Sequence, residues 1–424
     1  MTIKRRDLIK ITGLAVAAGS ITGLSSFSTE VANTASGLKP MTDDVVPISL
    51  SERKARIEKA QRLLIENKMG ALILEPSTGL NYFTGIRWGQ SERTMVAIIP
   101  AKGEIKYICP AFEEARFREQ IRFGTAIYVW QEDESPYQLI VKALKDSNVS
   151  TGNIGIEERT RFFIADGIKK AAPKLNVVSG DPITIPCRMM KSATEIALMQ
   201  KANDITLAAI KYSVGQLKEG MSQGDLSSMI MKAQGELGGS PDFALCLFGQ
   251  SSAFPHGSKQ PQKLKKGDIV LMDCGCTVQG YNSDITKTIV FGAEPTKRQQ
   301  EIWELEKKAQ AAGFAAAKIG APCENVDAAA RKVITDAGFG PGYQIPGLPH
   351  RTGHGIGMDG HEWGNMVKGN KKLLEAGMCF SIEPTIAIMG EFGVRFEDCV
   401  YMTEAGPKWF SQPSKSIYEP FESE

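Results

Sequence analysis

Carboxylates interrupt apolar segments in the second half of the chain, and this pattern limits what the chain can fold into. Asp273 follows Ile-Val-Leu-Met, Glu383 follows Met-Cys-Phe-Ser-Ile, and Glu397 follows Val-Arg-Phe. A carboxylate inside a buried strand is costly unless a cation or strong hydrogen-bond donors compensate its charge. One such acid is explained by an ion pair, whereas several in one region are better explained by a bound metal.

Turn-like segments separate the acids at distances that suit hairpins. Asp284 follows Asp273 by eleven residues, across a Gln-Gly-Tyr-Asn turn. Glu397 follows Glu383 by fourteen residues, across a Met-Gly-Glu-Phe-Gly turn, and is predicted to lie inside one strand over Val394–Met402. Each hairpin would bring its two acids together.

The chain has only four histidines, all in the second half, and three fall within twelve residues: His256, His350, His354 and His361. The segment around His354 is rich in glycine, which lets the backbone approach a ligand closely. A phosphate cradle is disfavoured because no Lys-Ser/Thr pair follows. One imidazole among several carboxylates favours Mn²⁺, with Co²⁺, Zn²⁺ or Fe²⁺ as alternatives.

The pattern of helices and strands predicts two domains after a linker over residues 36–47. Alternating helices and strands predict an α/β domain over residues 48–185, beginning with a helix capped by Ser51. Paired helices and strand hairpins predict an α+β domain over residues 186–424, opened by a capping box at Ser192. The proline-flanked segment Pro182–Pro186 is predicted to connect the two.

The acid and histidine segments resemble those of the M24 "pita-bread" metallopeptidases, in the same order. The matching segments are Asp273–Gly275, Ser283–Thr286, His350–Gly357, Ser381–Pro384 and Arg395–Asp398. The similarity is closest to the Xaa-Pro aminopeptidase and prolidase branch, with Pro255–Gly257 matching its upstream histidine. It covers roughly residues 50–410, and it implies a creatinase-like N-terminal domain followed by a pseudo-twofold catalytic domain.

The resemblance implies two divalent metal ions, the hydroxide that they share, and a peptide substrate with proline at its second position. The implied ligands are Asp273, Asp284, His354, Glu383 and Glu397. Asp284 and Glu397 would bridge the two ions. Glu383 would also move the proton of the attacking water.

Further roles follow from the same resemblance. His361 would contact the substrate carbonyl, and His256 would assist near the scissile amide. His350 and Arg395 would shape the proline pocket, although His350 could be structural and Arg395 could simply pair with Glu397. Thr286 would hydrogen-bond a ligand carboxylate.

Other interpretations stay open on the same scaffold. Trp88 could gate substrate, since a neighbouring subunit's N-terminal domain lines the active site in related homodimeric enzymes. Creatine amidinohydrolases lack these metal ligands, and dimethylsulfoniopropionate lyases carry an extra acid where this chain has Gly275. Another C–N hydrolase and a non-catalytic binding module are the remaining alternatives.

The N-terminus is predicted to be an export signal over residues 1–35. Lys4–Lys10 resembles a twin-arginine signal, which implies a periplasmic or secreted protein. The following apolar stretch is too short and too weakly apolar to predict a membrane span. The net charge is only +2, so the composition gives no indication of a nucleic-acid partner. The eight cysteines lack Cys-x-x-Cys spacing, so most are predicted to be buried apolar residues.

Replacing Arg5 and Arg6 by Lys is expected to retain the protein in the cytoplasm, because the twin-arginine pair is the recognised element. Cell fractionation measures this, with Lys10→Arg as a control that keeps the pair. Unchanged export of the double variant would contradict the predicted signal.

Overall fold

A mixed six-stranded sheet organises the first half of the chain. The computed structural model describes residues 37–421, so the predicted signal lies outside the described residues. The elements of this half are α1 Leu50–Glu66, β1 Met69–Leu74, α2 Thr78–Thr84, β2 Val96–Pro100, β3 Lys106–Pro110, α3 Glu114–Arg118, β4 Ile127–Trp130, α4 Pro136–Lys145, β5 Gly152–Ile156, α5 Phe162–Ala171, β6 Leu175–Ser179 and α6 Asp181–Arg188. The strands of the sheet lie in the order β4-β3-β2-β1-β5-β6.

The central strand β1 is apolar throughout because helices cover both faces of the sheet. Leu72 and Leu74 point into one hydrophobic core, where they meet residues of α1 and α6. Ala71 and Ile73 point into the other, with residues of α4 and α5. A strand buried on both faces reads as a continuous apolar run.

The second half repeats one scheme, in which a helix pair precedes an antiparallel sheet. Its elements are α7 Ala193–Val214, α8 Gln223–Glu236, β7 Ser240–Phe248, β8 Ile269–Val278, β9 Tyr281–Asn282, β10 Ile285–Val290, α9 Lys297–Ala316, α10 Glu324–Asp336, β11 Gly353–Gly355, β12 Glu362–Met366, β13 Cys379–Ile382, β14 Thr385–Ile388, β15 Phe392–Arg395, β16 Asp398–Thr403 and β17 Gly406–Trp409. The sheets run β10-β8-β7 and β12-β11-β13-β16-β17, with a separate β14–β15 hairpin. The predicted fold class is therefore confirmed.

Asp284, Glu383 and Glu397 lie just outside regular strands, whereas Asp273 lies within β8. Thr286 on β10 pairs with Asp273 on β8, which places Asp284 beside the same ladder. Strand β13 ends at Ile382, one residue before Glu383. Glu397 forms an isolated bridge with Thr286, and this bridge joins the sheets of the two halves.

Some sequence predictions need correction. The prediction of one strand over Val394–Met402 is wrong, because two strands cover this segment. Strand β15 pairs with β14 and ends at Arg395, and β16 begins at Asp398 and pairs with β13. The cap of α1 is Ser49 rather than Ser51, since the Ser49 hydroxyl accepts a hydrogen bond from the Glu52 N–H at 3.1 Å.

Other local predictions agree with the structure. Ser192 and Glu195 form the predicted capping box of α7. The segment Pro182–Pro186 lies within the short helix α6, whose Ile183 and Cys187 are buried in the first core, and its predicted role as a connection between the domains stays a prediction. All eight cysteines are free and buried. Between residues 37 and 421, no helix has both the length and the apolar character that crossing a membrane requires.

Glu306 on α9 is fully buried, and neither carboxyl oxygen has a hydrogen-bond partner among the described residues. Burial raises the pKa of Glu306 well above its ordinary value, although Arg395 opposes the shift. A raised folded-state pKa means that stability is lost as the pH rises above the unfolded value of about 4.3.

Glu306→Gln is therefore expected to increase the free energy of unfolding by about 1–3 kcal/mol at pH 8, and by less at pH 5. Chemical denaturation at the two pH values measures this. Glu304→Gln, on the exposed face of the same helix, is the matched control. An equal or greater gain at pH 5 would show that the Glu306 charge is not the cause.

Candidate metal centre

The structure brings the five predicted ligands to one place between the two halves of the catalytic domain. Asp273, Asp284 and Glu397 each offer an oxygen, and these atoms lie within 4.8 Å of one another. His354, Glu383 and Glu397 form a second group that meets the same limit. Glu397 belongs to both groups, and Asp284 and His354, one from each group, meet again in a third group with His361.

His354 presents one defined nitrogen to the carboxylates. Its Nδ1 lies 3.0 Å from the Gly355 carbonyl oxygen, which can only accept, so Nδ1 carries a proton. Nε2 then faces Glu383 Oε1 at 3.3 Å, Glu397 Oε1 at 3.6 Å and Asp284 Oδ2 at 3.7 Å. A backbone carbonyl that fixes the tautomer is the usual arrangement for a metal-binding imidazole.

Three carboxylate oxygens in this cluster have no protein partner. Asp273 Oδ1, Asp284 Oδ1 and Glu397 Oε1 are buried and accept no hydrogen bond from any described residue. Buried polar atoms are almost always paired, so orphaned oxygens facing one another point to a cation. This donor set of oxygens and one imidazole nitrogen fits a divalent metal ion.

The electrostatics of the cluster reflect burial and mutual repulsion. Burial raises the pKa of Asp284 well above its ordinary value, and the charges of Glu397 and Asp273 add to the shift. Burial, followed by Glu397, raises the pKa of Glu383 to about 8. Burial also acts on Glu397, but the adjacent His354 outweighs it and lowers that pKa. The site therefore has more negative charge than the protein itself neutralises.

Arg395 and Thr286 hold the acids from behind. Arg395 Nη2 donates to Asp273 Oδ2 at 2.5 Å, and its Nε donates to Thr286 Oγ1 at 3.2 Å. The Thr286 hydroxyl hydrogen-bonds Glu397 Oε2 at 3.1 Å, as predicted for a group that supports a ligand. The Arg395 ion pair therefore involves Asp273, rather than the Glu397 that the sequence suggested. Its remaining Nη1 donates to the Pro255 carbonyl at 3.0 Å.

The His361 and His350 rings differ in whether they have a ring nitrogen that is free to contact substrate. Arg351 Nη2 lies 3.3 Å from His361 Nδ1, so this nitrogen accepts and Nε2–H of the neutral ring is available. Burial lowers the pKa of His361 to about 4, and the nearby His354 adds to the shift. His350 Nδ1 donates to the Arg351 carbonyl and its Nε2 accepts from Thr385 Oγ1. Both His350 nitrogens are therefore already engaged.

Two neighbouring cavities meet at the site. The first, of about 790 Å³, is lined by the five predicted ligands together with His256, His350, His361 and Arg395. The second, of about 820 Å³, contains Trp88 and lies between the first half of the chain and the catalytic domain. Asp242 and Gly360 line both cavities, so the space beside Trp88 adjoins the acid cluster within one chain.

Sequence reasoning missed residues that lie at the centre of this site. Arg351 orients His361, and its place beside His350 in the glycine-rich segment was the available signal. Asp242 lines both cavities, but its position in a loop-like Ser-Pro-Asp segment gave no signal.

A repeated helix-pair and sheet unit that encloses such an acid cluster defines a pita-bread metallohydrolase. The model of "Metallopeptidase family M24" matches residues 197–404, and that of "Creatinase/Prolidase N-terminal domain" matches residues 56–190. The chain belongs to metallopeptidase family M24, and this relation makes it a metal-dependent peptidase.

Named relatives agree with this assignment. An uncharacterized peptidase of Schizosaccharomyces pombe is 34% identical over 90% of this chain and 86% of its own length. The Xaa-Pro dipeptidase of Lactobacillus delbrueckii subsp. lactis is 32% identical over 85% of this chain and 98% of its own. The crystal structure of the prolidase from Thermococcus sibiricus has a TM-score of 0.77 and 31% identity, over 85% and 97% of the two chains. The predicted family resemblance is confirmed.

Adding Mn²⁺ to chelator-treated protein is expected to raise the midpoint of thermal unfolding, because the cation offsets repulsion among the carboxylates. Stabilisation by about 2.7 kcal/mol is expected at a free metal concentration 100-fold above Kd. Glu397→Gln should lose most of this shift, since Glu397 belongs to both ligand groups. The exposed Glu404→Gln is the control. A full shift in Glu397→Gln would argue against the assigned ligands.

Proposed function

We propose that the chain is an exopeptidase that hydrolyses the Xaa-Pro bond at a dinuclear metal centre. The observation that carries the proposal is the pair of ligand groups that share Glu397, together with the three buried oxygens of Asp273, Asp284 and Glu397 that have no hydrogen-bond partner among the described residues. Asp273 and Asp284 would serve one ion, and His354 and Glu383 the other. Asp284 also lies near His354, which supports a bridging role for it.

Each protein group near the cluster has a role that its hydrogen bonds support. Divalent ions, when bound, would supply Lewis-acid polarisation of the scissile carbonyl and would lower the pKa of the attacking water. Glu383 would accept and return the proton of that water, and its pKa of about 8 without a cation reflects the buried acidic surroundings. The free Nε2–H of His361 would donate to the carbonyl oxygen as negative charge develops there.

The cavity supports a small substrate with an apolar second residue. Phe243, Leu245 and Pro255 line it together with the acids, and these apolar side chains suit contact with a proline ring. His256 is exposed at the same wall and could meet the leaving group. His350 and Arg395 would act on the pocket through its shape, because their polar atoms are occupied.

The lyase alternative is disfavoured by the packing around Gly275. A Cβ atom at this position would lie 2.4 Å from Phe243 and 2.6 Å from the Ser283 carbonyl oxygen. A carboxylate side chain therefore does not fit there without movement of the backbone. The binding-module alternative is disfavoured because the ligand set is complete.

We also propose export through the twin-arginine pathway and assembly as a homodimer. Export rests on Arg5 and Arg6, and dimerisation rests on the family resemblance. Arg116 stacks on Trp88 at 4.4 Å, so the candidate gating residue is held by its own chain.

Purified protein loaded with Mn²⁺, Co²⁺ or Zn²⁺ is expected to release the first residue from Xaa-Pro substrates. Dipeptides and longer Xaa-Pro peptides are compared by amino-acid release, with Xaa-Ala peptides as controls. Glu383→Gln should lower kcat by about 10²–10⁴-fold, because the proton acceptor is lost. Absence of turnover of every Xaa-Pro substrate with all three metals would remove the proposal.

A further inference from the structure

His361 lies on the loop between β11 and β12, and residues outside the catalytic domain hold this loop through Asp359. Asp359 Oδ1 accepts from Thr78 Oγ1 at 2.7 Å and from Arg159 Nη1 at 2.8 Å. Its Oδ2 accepts from Arg188 Nη2 at 2.5 Å. These three donors lie within residues 56–190, which the model of the N-terminal domain matches and which contain the six-stranded sheet and α6.

A second acid fixes the other end of the loop. Glu362 directly follows His361 and accepts from Arg188 Nη2 at 2.5 Å and from Lys191 Nζ at 2.8 Å. The side chains of Glu362, Arg188 and Lys191 are each only 2% exposed. Burial disfavours the carboxylate, but Lys191 and Arg188 outweigh it and lower the pKa of Glu362 to about 2. The ion pairs of Glu362 with Arg188 and Lys191, which hold this end of the loop, are therefore charged at neutral pH.

The loop is also tied to the acid hairpin. The Gly357 carbonyl accepts from the Asn282 N–H at 2.8 Å and from Asn282 Nδ2 at 3.0 Å. Asn282 lies two residues before Asp284, a predicted metal ligand. Because one short loop meets the N-terminal domain on one side and the ligand hairpin on the other, its position relates the two.

The ion pairs of Asp359 and Glu362 are better explained by the position that they give the loop than by any stability that they add to the fold. Removing charged groups from water is expensive, and apolar residues of similar size often stabilise a fold equally well. Directional ion pairs, by contrast, allow only one position of Asp359. The His361 ring lies 4.0 Å from the His354 ring, so a shift of the loop moves Nε2–H relative to the cluster. A misplacement of about 1 Å in an active site can reduce the rate about 10²-fold.

We propose that Thr78 and Arg159 of the N-terminal domain are positioning residues that act on His361 through Asp359. The inference rests on the proposed role of His361 in stabilising the substrate oxyanion. The N-terminal domain of each chain would then contribute to catalysis in its own active site without touching substrate.

Kinetics of the metal-loaded enzyme test this. Thr78→Val/Arg159→Leu is expected to lower kcat about 10–100-fold, with KM and metal content changed less than about twofold, because only the position of His361 is lost. Thr78→Ser/Arg159→Lys should recover most of kcat. Arg93→Leu breaks an exposed pair with Glu132 in the same domain and should have no effect.

A double-mutant cycle separates positioning from general damage. In a His361→Ala background, Thr78→Val/Arg159→Leu should cause no further loss of kcat. The proposal would be overturned if Thr78→Val/Arg159→Leu lowered kcat by the same factor with and without His361→Ala. It would also be overturned if this double variant kept the activity of the unmodified enzyme. Arg188 is a poorer probe because its buried guanidinium donates to both Asp359 and Glu362, so its removal would disturb both acids at once.

Histidine NMR provides a readout that does not depend on peptidase activity. The chain has only four histidines, so ¹⁵N-histidine labelling of the Zn²⁺-loaded protein gives few imidazole signals. The double variant should shift or broaden the His361 signals and leave those of the exposed His256 unchanged. If the shift occurs without Xaa-Pro turnover in any form, the proposed function fails and positioning stands. If the unmodified enzyme is active and neither signal nor kcat changes, positioning fails.

Discussion

Repulsion among four carboxylates buried around one imidazole is the constraint on which the rest of the structure depends. Burial raises the pKa of Asp273 and Arg395 opposes that rise, whereas His354 outweighs burial at Glu397 and lowers its pKa. Burial and the neighbouring acids keep the pKa values of Asp284 and Glu383 strongly raised. A cation bound among these oxygens would relieve the repulsion. The same concentration of carboxylate oxygens suits the site to divalent cations.

The two halves of the catalytic domain meet where their strands stop being regular. Glu383 lies just past the end of β13, and Glu397 lies between β15 and β16. Regular strands would alternate these side chains between faces, whereas the breaks let both converge on His354. The bridge between Thr286 and Glu397 then connects the acid hairpin of the first half to the second half. The positions of the candidate metal ligands and the packing of the two halves therefore depend on the same contact.

The first domain contributes more than a cover for the site. Its own core is complete on both faces of the six-stranded sheet, so its contacts with the loop of His361 are not needed to bury apolar surface. These contacts are charged and directional, and they connect Arg159 and Arg188 to Asp359. The cavity beside Trp88 lies in the same interface and opens toward the acid cluster through shared lining residues.

The amino-acid sequence is enough to identify the acids embedded in apolar runs, the clustered histidines, the capping box at Ser192 and the family order of the motifs. These are local or pairwise patterns, and a carboxylate stands out in an apolar run because its burial is costly. Long-range packing sets which acid Arg395 pairs with, where the strand around Glu397 breaks, and how a residue 200 positions away holds Asp359. Those outcomes depend on long-range packing, and no local propensity or spacing encodes the partner that a side chain meets across two domains.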